Sequence, residues 1–209
     1  MKTYLFDLDG TLLDSMELIL TSFHYTTRLH LGHDIPDSQW LAGVGTPLRT
    51  QLAKVARSED ELDAMMDTYR TFNLDQHDVM VRAFPGVVDM VKELHRLGAK
   101  LALVTSKLSD GANRGVRLLG LDEELSVRVC ADDVQHGKPH PEPVLKALAA
   151  LDASPESALF IGDSAHDIEA GRQAGVKTVA VGWGPIPREE LEAAKPTYWI
   201  ETAEELYEL

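Results

Sequence analysis

Thr3-Tyr4-Leu5-Phe6-Asp7-Leu8-Asp9-Gly10-Thr11-Leu12 is a short apolar run that closes on two acids, two residues apart, and then a glycine. Read alone, Thr3 to Leu8 predicts a buried strand followed by a turn. In extended chain, residues i and i+2 share a side, so Asp7 and Asp9 are presented together, and Gly10 lets the backbone turn away at once. Such a pair could cap a following helix. Its place at the end of a buried strand favours a shared site instead.

The pattern changes on either side of residue 81. From about Ser15 to Val81 only helical spacings recur: Met16, Ile19, Leu20, Phe23 and Thr27, then Leu62, Met65, Met66, Tyr69 and Phe72 behind the capping-box string Ser58-Glu59-Asp60-Glu61. From Pro85-Gly86 onward, helical patterns alternate with short apolar runs, at Leu101–Val104, near Val127–Ala131, at Ala158–Ile161 and at Thr178–Val181. Gly98, Gly120 and Gly175 mark helix ends. Alternating strands and helices predict an α/β fold with a doubly wound, Rossmann-like parallel sheet. The organisation expected is an α/β core from residues 1–14 and 82–209, with an inserted α-helical cap over 15–81.

Composition narrows the function. The 209 residues hold 34 acids against 20 Lys and Arg, a net charge of −14, which speaks against binding a nucleic-acid backbone or an anionic membrane. The chain has a single cysteine, Cys130, which excludes a disulfide framework and a cysteine-rich zinc site. No apolar run approaches ~18 residues, and Met1-Lys2-Thr3-Tyr4 runs straight into the first motif. A cytoplasmic protein, monomeric or homodimeric, is expected.

Polar residues cluster where the predicted strands end, the place where open α/β sheets bind ligands. These are Asp7, Asp9, Gly10 and Thr11, then Thr105-Ser106, then Lys138 within Gly137-Lys138-Pro139-His140-Pro141, and finally Gly162-Asp163-Ser164 with Asp167. Three carboxylates in one crevice repel unless a cation or a proton joins them. An all-oxygen set favours a hard ion, Mg²⁺ first. Lys138 and the Thr105 hydroxyl suit a phosphate or a phosphorylated carboxylate.

Taken together, Phe6-Asp7-Leu8-Asp9-Gly10-Thr11-Leu12, Thr105 behind its apolar run, Gly137-Lys138-Pro139 and Gly162-Asp163-Ser164-Ala165-His166-Asp167 resemble the four motifs of the haloacid dehalogenase-like hydrolases, in order and across the whole chain. Ala174-Gly175 and Gly182-Trp183-Gly184 look most like the branch of phosphoglycolate phosphatases and pyrophosphatases. The resemblance implies that Asp7 is a nucleophile forming an aspartyl-phosphate and that Asp9 is the general acid and then the base. It implies that Thr105 and the backbone at Ser106, beside Gly10, bind phosphate while Lys138 neutralises it. It implies further that Asp7, the Asp9 carbonyl and Asp163 hold Mg²⁺, with Asp167 acting through water or by orienting Lys138. The expected activity is Mg²⁺-dependent hydrolysis of a small phosphate monoester of the phosphoglycolate kind. Inorganic pyrophosphate is the runner-up.

Other readings fit less well. Dehalogenases of the family lack the second acid, here Asp9. Its sugar-phosphate mutases carry Val and an early cap His where this chain has Thr11 and Ile19. A phosphate-receiving signalling domain would place its acceptor on a middle strand of a chain of roughly 120 residues. Gly43-Val44-Gly45 begins like a dinucleotide fingerprint but meets Leu48 where a third Gly belongs. The loop Gly43–Pro47, with Arg49 after it, is the cap element expected to face the active site, and Arg49 is a candidate reader of a substrate carboxylate or second phosphate. His24, His30, His33, His77 and His95 form no metal-binding spacing and are expected at the surface or partly buried.

Overall fold

The computed structural model describes residues 2–43 and 46–209. Along the chain, β1 (Thr3–Phe6) and β2 (Leu13–Asp14) lead into four helices, α1 (Met16–Leu31), α2 (Asp37–Leu41), α3 (Leu48–Leu52) and α4 (Glu59–Met80). Then come β3 (Arg82–Ala83), α5 (Val87–Arg96), β4 (Lys100–Val104), α6 (Ser109–Leu119), β5 (Val127–Val129), α7 (Glu142–Ala150) and β6 (Ala158–Gly162). The chain finishes with α8 (Ala165–Gln173), β7 (Lys177–Val181), α9 (Arg188–Ala193), β8 (Tyr198–Ile200) and a 3₁₀ turn over Ala203–Glu208.

Six strands form one parallel sheet in the order β5-β4-β1-β6-β7-β8. The pleat explains the apolar runs. Tyr4, Phe6, Leu101, Leu103, Leu159 and Ile161 pack on one face with Val87 and Val91 of α5 and Val116 of α6. Leu5, Ala102, Val104 and Phe160 pack on the other face with Val144 and Leu148 of α7 and Ala170 of α8. Strands covered on both faces are apolar at every position, which is why they read as continuous runs. The chain lays β4 and β5 on one side of β1 and then crosses to β6, β7 and β8, so β1 lies beside the switch point where doubly wound sheets open a crevice. Register sets the rim: Phe6 pairs with Leu103 and with Ile161, which brings Asp7, Thr105 and Asp163 to the same end of the sheet.

The helices α1–α4 have their own apolar cluster, formed by Phe23, Trp40, Leu52, Leu62, Met65, Met66 and Tyr69. Phe23 stacks on Trp40 with ring centroids 4.2 Å apart and planes 3° from parallel, and it tilts against Tyr69 at 4.8 Å. Such ring pairs add ~0.5–1.5 kcal/mol beyond the area they bury. The two crossings into and out of this helical layer pair with each other, because β2 and β3 form a two-stranded antiparallel ribbon. Two residues are too few to show a period, so this ribbon left no sign in the sequence.

Local chemistry corrects several expected boundaries. β1 ends at Phe6 rather than Leu8, because the Leu8 carbonyl accepts from the N–H groups of Leu12 and Leu13 at 2.9 and 2.8 Å and the chain is already turning. β5 ends at Val129, and Ala131–Asp133 form a 3₁₀ turn. Ser58 caps α4 by accepting from the Glu61 N–H at 3.1 Å, but the Glu61 carboxylate reaches back to the Arg57 N–H, not to that of Ser58. β8 is a sixth strand where only short terminal elements were expected.

Candidate active site

The ends of β1 and β4 and the segment before α7 converge on the floor of a cavity of about 330 Å³, with the end of β6 beside β1 at the same end of the sheet. Its walls include Asp7, Asp9, Thr105, Ser106, Lys107 and Lys138 from the sheet side. The α1–α4 layer supplies the opposite wall, with Ile19 and Phe23 from α1, the stretch Thr46–Arg49, and Met66, Tyr69, Arg70, Asn73 and Leu74 from α4. Val44 and Gly45, in the loop expected to face the site, lie outside the described residues. The flanking Thr46 and Pro47 do line the cavity.

Asp7 and Asp9 reach the same cavity with different partners. The Asp7 carboxylate is buried and takes an ion pair from Lys138 Nζ at 2.8 Å. Lys138 Nζ also donates to Asp167 Oδ1 at 2.6 Å, and its side chain is only 1% exposed. Asp167 is held by the start of α8: its other oxygen accepts from the Ser164 N–H at 3.1 Å and the Ser164 hydroxyl at 2.6 Å. Gly162 makes this approach possible, since a Cβ there would lie 2.6 Å from that same carboxylate oxygen. Asp167 thus touches Lys138 directly and orients it.

Asp163 is fully buried; Oδ1 accepts from the Thr11 hydroxyl at 3.1 Å, while Oδ2 has no hydrogen-bond partner among the described residues. Gly10, at φ +84°, turns under it, and any Cβ would collide with the Asp163 carboxylate. Ligand atoms of Asp7, Asp163 and Asp167 lie within 4.8 Å of one another. Burial, then the charges of Asp7 and Asp167, push the Asp163 carboxyl well above its ordinary pKa. Burial also raises Asp7, against the pull of Lys138. Burial works against the Lys138 ammonium, but Asp167 and Asp7 outweigh it and hold the group above its usual range. Three carboxylates against one ammonium leave two negative charges uncompensated, the charge of one divalent cation. The orphaned Asp163 oxygen and the all-oxygen donor set fit a hard ion at this place. Two other clusters, His136–His140–Glu142 and Cys130–Asp132–Asp133, bring ligand atoms as close. Their carboxylates are engaged by local donors: Glu142 accepts from the N–H groups of Gln135 and His136, Asp132 from Ser109, and Asp133 from the Cys130 N–H.

Asp9 is half-buried and faces the other way. Its oxygens accept from Lys107 Nζ at 2.9 and 3.0 Å and from the Ser15 hydroxyl at 2.6 Å. Burial works to raise its pKa, but Lys107 and Ser15 together hold the carboxyl below its ordinary value. Ser15 precedes α1 yet makes no side-chain cap bond, because its hydroxyl is committed to Asp9. Neither acid caps a helix.

Thr105 is buried at the end of β4, where its hydroxyl accepts from the Lys107 N–H at 3.2 Å; Ser106 beside it is half-buried. Arg49 lines the cavity, but its guanidinium pairs with Asp63 at 2.6 Å and with Glu59. Lys107, Ser15 and Arg70 were not singled out from the sequence. The available signal for Lys107 was a base two residues after Thr105 at the same strand end. His77, expected at or near the surface, is fully buried on α4; its Nδ1 lies 2.8 Å from Asp78, and burial lowers its pKa. His166 is half-buried on α8, outside the cavity lining.

Residues 4–181 match the family model described as haloacid dehalogenase-like hydrolase. The chain is 41% identical over 205 residues to the pyrophosphatase PpaX of Anoxybacillus flavithermus, covering 98% of this chain and 94% of that protein, and 42% identical over the same length to the PpaX of Bacillus cereus. Among solved structures, a haloacid dehalogenase-like family hydrolase from Streptococcus pneumoniae superposes with a TM-score of 0.86 at 26% identity, over 100% of this chain and 97% of that one. A predicted phosphoglycolate phosphatase from Haemophilus somnus shares the fold with a TM-score of 0.90 at 23% identity, over 100% and 97%.

Proposed function

The chain belongs to the haloacid dehalogenase-like hydrolases, and from that premise we propose that it is a Mg²⁺-dependent phosphatase working through an aspartyl-phosphate on Asp7. The observation that carries this reading is the buried Asp7–Lys138–Asp167 network with Asp163 close by, whose Asp7 and Lys138 open onto a cavity large enough for a small phosphorylated metabolite. Mg²⁺ would be held by Asp7, Asp163 and the Asp9 carbonyl, with Asp167 behind them; when bound it supplies charge neutralisation for the phosphoryl group. An Asp7 oxygen attacks phosphorus, and the bond to the leaving oxygen breaks. Lys138, Thr105 and the backbone near Ser106 take up the charge on the phosphoryl oxygens. Water, deprotonated by Asp9, then attacks the phosphorus, freeing phosphate and the Asp7 carboxylate. Residues 15–81 act as the cap that closes over this floor, hinged where β2 and β3 pair.

Pyrophosphate is the favoured substrate. The curated relatives that share about two-fifths of the sequence carry that activity in their names. The resting state of Asp9 supports the same choice. Lys107 and Ser15 keep it ionised, which suits the water step, and a leaving phosphate needs less protonation than an alkoxide. A phosphoglycolate-like ester is the second reading, since it offers the same small size and second anion.

A panel of phosphorylated metabolites with pyrophosphate, assayed for phosphate release with Mg²⁺ and with excess chelator, tests both levels. The expected outcome is highest kcat/KM on pyrophosphate and loss of activity on every substrate with chelator. Full activity in chelator would overturn the metal assignment. A higher kcat/KM on a phosphoglycolate-like ester would replace the favoured substrate, and isomerised sugar phosphate without phosphate release would indicate a mutase.

A further inference from the structure

We propose that Arg70 binds the part of the substrate that is not transferred to Asp7, a leaving group carrying its own anion. The proposal rests on the phosphohydrolase reading above and names the residue that recognises the second charge. Four arginines lie in the helical segment, and three are paired: Arg28 with Asp34 at 2.7 Å, Arg49 with Asp63 and Glu59, and Arg57 with Glu61. Arg70 has no ion-pair or hydrogen-bond partner among the described residues, although acids outnumber bases 34 to 20 in the chain and Asp67 sits one turn before it on α4. It is half-buried and lines the cavity.

Its placement follows from helix geometry. Met66, Tyr69, Arg70, Asn73 and Leu74 fall at i, i+3, i+4, i+7 and i+8, the single face of α4 that looks across at Asp7, Thr105 and Lys138. The other cations lining the cavity are engaged, Lys138 by Asp7 and Asp167, Lys107 by Asp9, and Arg49 as above. The same wall is mainly apolar, with Ile19, Phe23, Leu48, Met66 and Leu74, and its neutral polar groups, Thr46, Gln51 and Asn73 among them, carry no charge that would answer a guanidinium. A planar guanidinium left unpaired in such surroundings is suited to a bidentate contact with a carboxylate or phosphate, and the low local dielectric strengthens that contact. A floor that grips the phosphoryl group and a roof that offers one guanidinium describe a site for a small substrate with two anionic ends.

Asp110, on the opposite wall in α6, is exposed and likewise has no partner among the described residues, so an Arg70–Asp110 latch between the two walls is the competing role. Steady-state kinetics of the full chain with Mg²⁺, on pyrophosphate, phosphoglycolate and an aryl phosphate, separate the two. Arg70→Ala should raise KM for the preferred anionic substrate by about 10- to 100-fold. The ratio of its kcat/KM to that of the aryl phosphate should fall by a similar factor. Arg70→Lys, which keeps a charge and the aliphatic stem, should recover part of the ratio and stands in if the alanine variant melts early. Whichever of pyrophosphate and phosphoglycolate loses more identifies the anion as phosphate or carboxylate. Equal losses on all three substrates, reproduced by Asp110→Asn, would overturn the proposal in favour of the latch, and no loss on any would overturn it outright. A wild-type enzyme that hydrolyses the aryl phosphate but favours neither anionic substrate would overturn both this proposal and the substrate reading.

Discussion

The two walls of the cavity are built by opposite means. On the sheet side, Lys138 is buried and paired with both Asp7 and Asp167 before any substrate arrives, and Asp163 is buried beside them against the Thr11 hydroxyl. On the helical side, the lining is mostly apolar, and its arginines stand nearer to water, Arg49 with about half of its side chain exposed. Buried charges of this kind are held at fixed positions, because each misplaced one would be left without a partner in a poor solvent. On the function proposed above, preorganisation would belong to the floor, where the phosphoryl group shared by the candidate substrates would react, and discrimination to the roof.

Substitutions can break that division, beginning where the effect is greatest. Asp7→Asn removes the proposed nucleophile and should abolish turnover on every substrate, by on the order of 10⁴-fold or more, together with trapping of an acyl-phosphate. Substantial residual activity in a phosphate-release assay would show that the floor does not act covalently. Asp9→Asn should slow turnover by about 10²–10⁴-fold, the usual range for general acid–base help, while still allowing Asp7 to be phosphorylated by a substrate with a good leaving group. Mass spectrometry of the quenched enzyme reads the difference between the two variants.

Lys107→Met probes the one acid on the floor that is held by a different base. Lys107 helps to keep the Asp9 carboxyl below its ordinary value, so its removal leaves burial dominant and raises that pKa. Asp9 then becomes ionised only at higher pH, and the acid limb of the kcat profile should move upward. An unmoved limb would mean that Asp9 ionisation does not govern the profile. Smallest of all is Arg49→Ala. Its partners Asp63 and Glu59 are exposed, so the variant should change KM and thermal midpoint little, with KM within about 2-fold. A larger KM effect confined to anionic substrates would show that Arg49 leaves its carboxylates to bind substrate and would move recognition from α4 to α3.

Much of the floor was readable in the chain because its residues come in short local strings. A carboxylate that follows an apolar strand must emerge at the strand end, and a parallel sheet brings the ends of β1, β4 and β6 to one rim. Composition and period were therefore enough to place Asp7, Thr105 and Asp163 together, and the helical block before residue 81 announced itself through its 3.6-residue spacing. What the amino-acid order alone did not determine is which charge answers which. Lys138 and Lys107 both follow strand ends, yet one pairs with Asp7 across 131 positions and the other with Asp9 across 98. Arg49 and Arg70 are both helical arginines lining the same cavity, and only the packing of α3 against α4 gives Asp63 and Glu59 to the first and leaves the second without an ion pair among the described residues. Periodicity is set by bonds to residues three or four away, and a strand end is set by the next turn of chain. Pairing between charges depends on distances that exist only after the sheet and the helical layer have packed, and the tertiary structure alone decides them.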